Sequence, residues 1–282
     1  MNRARSTDGT LIAFEAVGDG PTVVLVGGGL DDGAENAPLI PALTAHGFRV
    51  VNYARRGRAD SGDADLYSVE REIDDLAAVI VETGGRAHLF GASSGGALAL
   101  EASAAGVPVD RLAVYEVPYA LTDEAVGAFR AYVGELSAAL SSGRPDTAVE
   151  LFMRLAGAPE PDVAVARSSP EWPRLTALAP TLAYDAACLG DGRPPMERLA
   201  RVTCPTLVLT GGAVDPHTGD LHPSFFDNAA DAITHAVSDA ERRTLAGQTH
   251  VADPVALAPE LVDFFTRPHD PVGERPSSSD PG

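Results

Sequence analysis

A short apolar strand that runs into a serine-containing turn and then into a helix constrains this chain more than any other feature. The strand is predicted over 87–90, the turn reads Gly91-Ala92-Ser93-Ser94-Gly95-Gly96, and an alanine- and leucine-rich helix follows. So tight a turn leaves no room for bulky neighbours, and it holds the serine in a strained backbone conformation. The helix start offers unpaired N–H groups to a developing negative charge. The pattern predicts a nucleophilic Ser93; the alternative is a glycine-rich turn with an incidental serine.

Composition limits the classes of partner. The chain has 282 residues, 45% of them hydrophobic, which is enough for one large core, and a net charge of −19 that repels nucleic acids and anionic membranes. We find no apolar leader, no run long enough to span a membrane, no zinc spacing and no phosphate-binding loop. Two cysteines, Cys188 and Cys204, do not make a disulfide framework. We expect a cytoplasmic protein with a small-molecule substrate, no nucleic-acid or membrane partner, no cofactor and no metal; a homodimer is left open.

Strand and helix patterns alternate along most of the chain. Strands are predicted over 11–17, 22–26, 48–53, 87–90, 111–115, 206–210 and 242–245, and helices over 37–45, 69–82, 225–237 and 255–266. This alternation predicts an α/β fold with a mostly parallel sheet covered by helices on both faces. Consecutive helical segments over 118–202 predict an inserted helical lid above the carboxyl ends of the strands. The core is therefore expected over 1–117 and 203–267, with a disordered Pro- and Ser-rich tail over 268–282.

The chain resembles proteins of the α/β-hydrolase-fold superfamily, in particular lidded serine hydrolases of actinobacterial type. Besides the serine turn, the resemblance is carried by four segments: Val23–Gly29, Arg56–Ser61, Pro205–Gly212 and Gly247–His250. It covers nearly all of the chain from about Thr7 to Thr266. The resemblance implies a serine nucleophile, a histidine base and a carboxylate, in the chain order serine, acid, histidine.

Placement by resemblance selects the partners of Ser93. Of the seven histidines, His250 directly follows the last predicted strand, where the family carries its base, whereas His88 lies inside a strand and is expected to pack. The favoured acid is Asp215, a few residues beyond the strand at 206–210, and the competitor is Glu116, at the end of the preceding strand. Weaker options for the acid are Asp220 and Asp253.

The oxyanion hole is expected to combine the N–H of Ser94 with that of Gly29, with Gly28 as its neighbour. The resemblance is imperfect here, because Gly27 stands where the family usually has a histidine. Three arginines, at 55, 56 and 58, follow a predicted strand, and we interpret them as a solvated loop rather than an anion site. In the lid, Trp172 is the first candidate for a pocket wall.

These residues favour a serine hydrolase that cleaves an ester, lactone or thioester of a small, mainly apolar molecule with a carbonyl group. The acyl-enzyme would form on Ser93, with His250 passing the proton to the leaving group. One alternative is a non-hydrolytic enzyme on the same scaffold, a cyclase, an eliminase or a C–C bond-cleaving enzyme of a secondary-metabolite pathway. The other is a non-catalytic small-molecule receptor, since the fold alone does not choose among them.

Overall fold

The structure is a computed structural model that describes residues 1–215 and 223–268. Within these residues, one sheet contains the strands β1 (Asn2–Arg5), β2 (Leu11–Val17), β3 (Thr22–Val26), β4 (Arg49–Tyr53), β5 (Ala87–Ala92), β6 (Val109–Tyr115), β7 (Thr206–Gly211) and β8 (Ala240–Leu245). The helices are α1 (Leu39–Thr44), α2 (Val69–Glu82), α3 (Ser94–Ala104), α4 (Asp123–Ser141), α5 (Pro145–Leu155), α6 (Glu160–Arg167), α7 (Trp172–Leu178), α8 (Leu182–Cys188), α9 (Met196–Leu199), α10 (Pro223–Ala236) and α11 (Pro254–Phe265). A 3-10 turn (Ala179–Thr181) joins α7 to α8.

The strand order is β1-β2-β4-β3-β5-β6-β7-β8, and the predicted α/β-hydrolase architecture is confirmed. From β4 to β8 the neighbouring strands are parallel, whereas β1 and β2 add an antiparallel edge. The sequence pattern does not predict β1, because Ala4 is the one buried residue in a strand that is otherwise polar and exposed. Such a strand has little hydrophobic pattern of its own and depends on pairing with β2.

Both faces of the sheet are covered, and the sequence of β3 shows why. Alternate residues of a strand point to opposite faces, so Val23 and Leu25 enter one apolar cluster while Val24 and Val26 enter the other. Helices α1 and α11 cover the first face, and α2, α3 and α10 contribute to the cluster on the second. A continuous apolar run is therefore required at β3, as in other doubly covered parallel strands.

The helices from Asp123 to Leu199, here called the helical insertion, lie between β6 and β7 in the chain. Thr122 caps the first of them by accepting a hydrogen bond from the N–H of Ala125 at 3.2 Å. The insertion buries apolar side chains in the same cluster as the second sheet face, among them Phe129, Leu136 and Leu182. It is thus packed onto the core, and its role as a lid stays a prediction.

His88 lies inside β5 and packs, as its position in a strand predicts. Its ring stacks on Phe265, with 4.8 Å between the ring centroids, and meets Phe48 edge-on. Burial lowers the pKa of His88 to about 4, because the charged imidazolium loses hydration there. The residue therefore belongs to the core and not to a site.

In the described part of the chain, no helix combines the length and apolar character that a membrane crossing requires. The predicted tail, beyond Pro268, lies outside the described residues.

Candidate active site

The turn between β5 and α3 holds Ser93 in a strained backbone conformation. Its φ of 53° and ψ of −127° fall in a region that residues other than glycine rarely adopt. The glycines around it are required by close packing: a Cβ on Gly91 would lie 2.6 Å from the carbonyl oxygen of Gly95, and one on Gly95 would lie 2.3 Å from that of Val26. The tight turn leaves Ser93 partly exposed at the carboxyl end of a central strand.

His250 lies in the loop between β8 and α11, where its ring is held from two sides. Its Nδ1 is 2.7 Å from Oε2 of Glu116. Phe226, from α10, stacks on the imidazole with 4.9 Å between ring centroids and 19° between planes. The side chain remains 30% exposed, so the ring is oriented without being closed off.

The carboxylate hydrogen bonded to His250 is Glu116, the competitor of Asp215 in the sequence analysis, and which of the two acts as the acid stays a prediction. Glu116 follows β6 directly, with a left-handed φ of 46°, and its side chain is buried. Its Oε1 accepts a hydrogen bond from the N–H of Gly211 at 2.7 Å, which leaves Oε2 for the imidazole. Asp215 follows β7, which is one strand further from β5 in the sheet.

The register of β5 and β6 places Glu116 beside the serine turn. Strand β6 pairs with β5 so that Ala92 is level with Tyr115, and the residues that follow them, Ser93 and Glu116, end neighbouring strands. Gly211 ends β7 on the other side of β6 and anchors the carboxylate. Of the weaker options, Asp253 caps α11 by accepting from the N–H of Val255, and Asp220 lies outside the described residues.

Hydrogen bonds connect the serine turn to the histidine loop through β6. The N–H of Ser93 donates to the carbonyl of Tyr115 at 2.9 Å, and the hydroxyl of Tyr115 donates to the carbonyl of Thr249. Ser93 and His250 both lie in the described part of the chain, and the hydroxyl of Ser93 is not hydrogen bonded to the ring of His250. Such contacts in ligand-free enzymes often form only when substrate is bound.

The glycine loop after β3 packs directly against the serine turn. A Cβ on Gly28 would lie 3.1 Å from the carbonyl oxygen of Ala92 and 3.2 Å from Cβ of Ser93. A Cβ on Gly29 would lie 2.9 Å from Cζ of Phe152, which comes from α5 of the helical insertion. The loop residues predicted for an oxyanion hole therefore lie beside Ser93 and Ser94, the first residue of α3.

The arginines after β4 are not a solvated loop, and that expectation was wrong. Arg55, Arg56 and Arg58 are each no more than 2% exposed. A guanidinium is removed from water only when carboxylates and carbonyls take over its hydrogen bonds. The chain supplies these acceptors from α2 and from the helical insertion.

One buried cluster contains Arg55, Arg58, Glu72 and Asp185. Arg55 donates to both oxygens of Glu72, at 2.8 and 2.6 Å, and to Asp185 at 2.6 Å. Arg58 donates to both oxygens of Asp185 at 2.8 Å. Burial alone would raise the pKa of Asp185 and of Glu72, but the two guanidiniums outweigh it and hold the pKa of each carboxylate below its ordinary value.

Arg56 belongs to a separate pair. It donates to both oxygens of Asp75 at 2.7 Å and to Asp8 at 3.1 Å. Nothing in the sequence identified Asp75, Glu72 or Asp185 as partners of these arginines. The cluster that contains Asp185 was therefore missed.

Two further side chains are accounted for. Trp172, the first candidate for a pocket wall, is buried and donates from Nε1 to Asp146 at 2.7 Å, which ties α7 to α5. Burial raises the pKa of the Cys188 thiol to about 12, so the thiol stays protonated at neutral pH.

Among the described residues, His, Cys, Asp and Glu side chains form no group of three or more suited to a metal ion.

Fold and site together define an α/β hydrolase, and comparisons with known proteins agree. The sequence model of the alpha/beta hydrolase family matches residues 23–262. A solved alpha/beta hydrolase from Sphaerobacter thermophilus DSM 20745 is 45% identical, with a TM-score of 0.84 over 94% of this chain and 100% of that one. The chain belongs to the alpha/beta hydrolase family.

More distant structures share the fold. A thermophilic esterase from Thermogutta terrifontis, solved with malate bound, is 23% identical with a TM-score of 0.66, over 94% of this chain and 96% of that one. An enol-lactonase from Burkholderia xenovorans LB400 is 19% identical with a TM-score of 0.68, over 94% and 100%. No curated protein matches the chain.

Proposed function

We propose that the protein is a serine hydrolase that cleaves an ester, lactone or thioester of a small, mainly apolar molecule through an acyl-enzyme on Ser93. The observation that carries the proposal is the hydrogen bond between Nδ1 of His250 and buried Glu116, at the sheet edge where Ser93 ends the neighbouring strand. A base oriented by a carboxylate next to a strained serine is the arrangement that acyl transfer needs.

Each of these groups has a defined role in the proposed reaction. Oγ of Ser93 attacks the carbonyl carbon while its proton passes to Nε2 of His250, and Glu116 accepts the hydrogen bond from Nδ1–H of the resulting imidazolium. The N–H groups of Ser94 and Gly29 stabilise the oxyanion. His250 then gives the proton to the leaving oxygen or sulfur, and a water molecule, deprotonated by the same nitrogen, releases the acid and regenerates Ser93.

The preference for an apolar substrate rests on a groove in the helical insertion. The groove has a volume of about 380 Å³, within the range of small-molecule sites. Its lining is Phe152, Met153, Ala156, Ala158, Val165 and Ala166, with Asp162 as its charged member. Phe152 lines the groove and its ring also packs on Gly29, so this side chain links the groove to the glycine loop. The insertion would then act as the lid, with the apolar part of the substrate beneath it.

The similarity to an esterase and an enol-lactonase supports ester and lactone substrates as the first to be tested. The non-hydrolytic alternative differs in one measurable respect, because hydrolysis adds solvent oxygen to the product. Once a substrate is found, turnover in ¹⁸O-labelled water separates hydrolysis from elimination and cyclisation: one labelled oxygen per product acid is expected, and an unlabelled product would favour elimination or cyclisation. Hydrolytic cleavage of a C–C bond would also add the label, and the structure of the products identifies it.

The proposal is tested by intact-mass measurement after exposure to a small fluorophosphonate. The wild-type protein is expected to gain one adduct and Ser93→Ala none, with matching loss of 4-nitrophenyl ester hydrolysis. A probe as small as diisopropyl fluorophosphate avoids exclusion by the insertion. No adduct on the wild type, together with no hydrolysis of short esters, would overturn the acyl-enzyme mechanism and favour a receptor.

A further inference from the structure

Asp185 connects the helical insertion to the serine turn. It lies in α8, 91 residues after Ser94 in the chain, and its Oδ1 accepts a hydrogen bond from the hydroxyl of Ser94 at 2.8 Å. The same carboxylate accepts from Arg55 and, with both oxygens, from Arg58. The side chain of Asp185 is 7% exposed, so these bonds are made away from water. Ser94 is the residue whose N–H is proposed to stabilise the oxyanion.

The two arginines also hold the glycine loop. Arg55 donates to the carbonyl oxygen of Gly27 at 3.1 Å, and Arg58 donates to that of Gly28 at 2.5 Å. A peptide unit is planar and trans, so the direction of a carbonyl determines the direction of the N–H that follows it. By holding the carbonyl of Gly28, Arg58 therefore sets the direction of the N–H of Gly29.

These contacts supply a constraint that the loop lacks in its own sequence. Three successive glycines have more conformational freedom than any other tripeptide, and an oxyanion hole works only when its donors are held in place before the reaction. The carboxylate of Asp185 orients Arg58 through two hydrogen bonds and Ser94 through one. Both proposed oxyanion donors are thus tied to one side chain.

We infer that Asp185 is a positioning residue that holds both halves of the oxyanion hole, through the hydroxyl of Ser94 and through Arg58 on the glycine loop. The inference rests on the proposed function of Ser93. It makes the active site dependent on a docked helical insertion, because the residue that aligns the donors belongs to α8.

The negative charge of Asp185 and its positioning role would have opposite effects on the reaction rate, which makes the inference testable. A Cβ on Gly29 would lie 3.7 Å from Oδ2 of Asp185, so the carboxylate charge is close to the loop that carries a proposed oxyanion donor and would oppose a negative charge that forms there. Before substrate binds, the two positive charges of Arg55 and Arg58 balance the two negative charges of Glu72 and Asp185. Removal of the Asp185 charge would therefore raise kcat if its field were the main effect, and lower kcat if positioning were the main effect.

The experiment compares Asp185→Asn with Asp75→Asn. The two substitutions make the same chemical change in a buried arginine–aspartate pair, but within the described part of the chain Arg56 and Asp75 make no hydrogen bond to the glycine loop or the serine turn. For Asp185→Asn we expect kcat for 4-nitrophenyl butyrate to fall about 10- to 100-fold with KM within about twofold. Binding of a trifluoromethyl ketone, which forms an oxyanion on Ser93, should weaken by a similar factor. Asp75→Asn should change neither.

Each other outcome overturns a stated part of the argument. Equal kcat in the two variants, or a higher kcat in Asp185→Asn, would refute the positioning role. Should Asp185→Asn not fold, Ser94→Ala decides, since it removes only the hydroxyl bonded to Asp185; an unchanged kcat there would refute the inference. A wild-type protein that neither hydrolyses esters nor reacts with fluorophosphonate would instead refute the proposed function.

Discussion

Replacing Glu116 with glutamine exchanges one carboxylate oxygen for an NH₂ group, and the hydrogen bonds of Glu116 determine which way that group faces. The N–H of Gly211 donates to one carboxylate oxygen of Glu116 and the imidazole of His250 faces the other. In the glutamine variant, the amide oxygen must face Gly211, because an NH₂ group there would oppose another donor in a buried place. The NH₂ then faces Nδ1 of His250.

That orientation forces the wrong tautomer on the histidine. Nδ1 must now accept a hydrogen bond, so the ring proton moves to Nε2, which can no longer take the proton of Ser93. The opposite amide orientation leaves a buried donor unpaired, at a cost of about 1–3 kcal/mol. Loss of the correct tautomer in a serine, histidine and carboxylate site lowers kcat by about 10⁴-fold, and we expect about 10³- to 10⁴-fold here. This corresponds to about 4–5.5 kcal/mol in the activation free energy.

The assay is steady-state hydrolysis of a 4-nitrophenyl ester, with folding checked by circular dichroism and thermal unfolding. Asp215→Asn is the matched control, since it makes the equivalent change in the other candidate acid. We expect Glu116→Gln to lose activity with little change in KM, and Asp215→Asn to keep kcat within about tenfold. Near-full activity in Glu116→Gln, with collapse in Asp215→Asn, would show that the contact between Glu116 and His250 does not orient the base.

Two stability predictions follow from buried groups outside the site. The pKa of His88 is lowered from 6.5 to about 4. Between these values the unfolded chain binds more protons than the folded one, so the free energy of unfolding decreases as the pH is lowered, by about 2 kcal/mol between pH 7 and pH 5. His88→Phe, which keeps the aromatic contact with Phe265, should remove that part of the loss in urea unfolding at the two pH values; an unchanged difference would refute the assignment. Gly95→Ala should destabilise by about 3 kcal/mol or more, because its Cβ would meet backbone oxygen at 2.3 Å, whereas Gly134→Ala, with open space in α4, should stabilise by about 0.5–1 kcal/mol. Urea midpoints that move in the same direction for both glycine variants would contradict the packing argument.

Features that depend on neighbouring residues in the chain could be predicted. The apolar run of β3 follows from burial on both faces, and each of its residues carries that information itself. The turn around Ser93 is also local, because its glycines make the close approaches that the turn requires. The resemblance to the family, rather than a local pattern, placed the base at His250, and the structure holds that ring against a carboxylate.

Features that depend on which strands and helices meet could not be predicted. Asp215 and Glu116 both follow a strand, and spacing along the chain does not say which strand end lies beside Ser93. Strand order alone does not decide it either, because β6 adjoins β5 while β7 adjoins β8, the strand before His250; the hydrogen bond between His250 and Glu116 does. A left-handed φ at Glu116, which a glutamate rarely adopts, then completes the approach to His250.

The buried arginines show the same limit in electrostatic terms. A run of arginines in an acidic chain is usually exposed, because burying an unpaired charge costs several kcal/mol or more. Burial becomes favourable only when carboxylates arrive in the right geometry, and Asp185 comes from a helix about 130 residues further along the chain than Arg55. Local patterns carry the hydrophobic periodicity and the turn sterics of this protein, whereas the pairing of its buried charges arises from the packing of α2 and the helical insertion against the loop after β4.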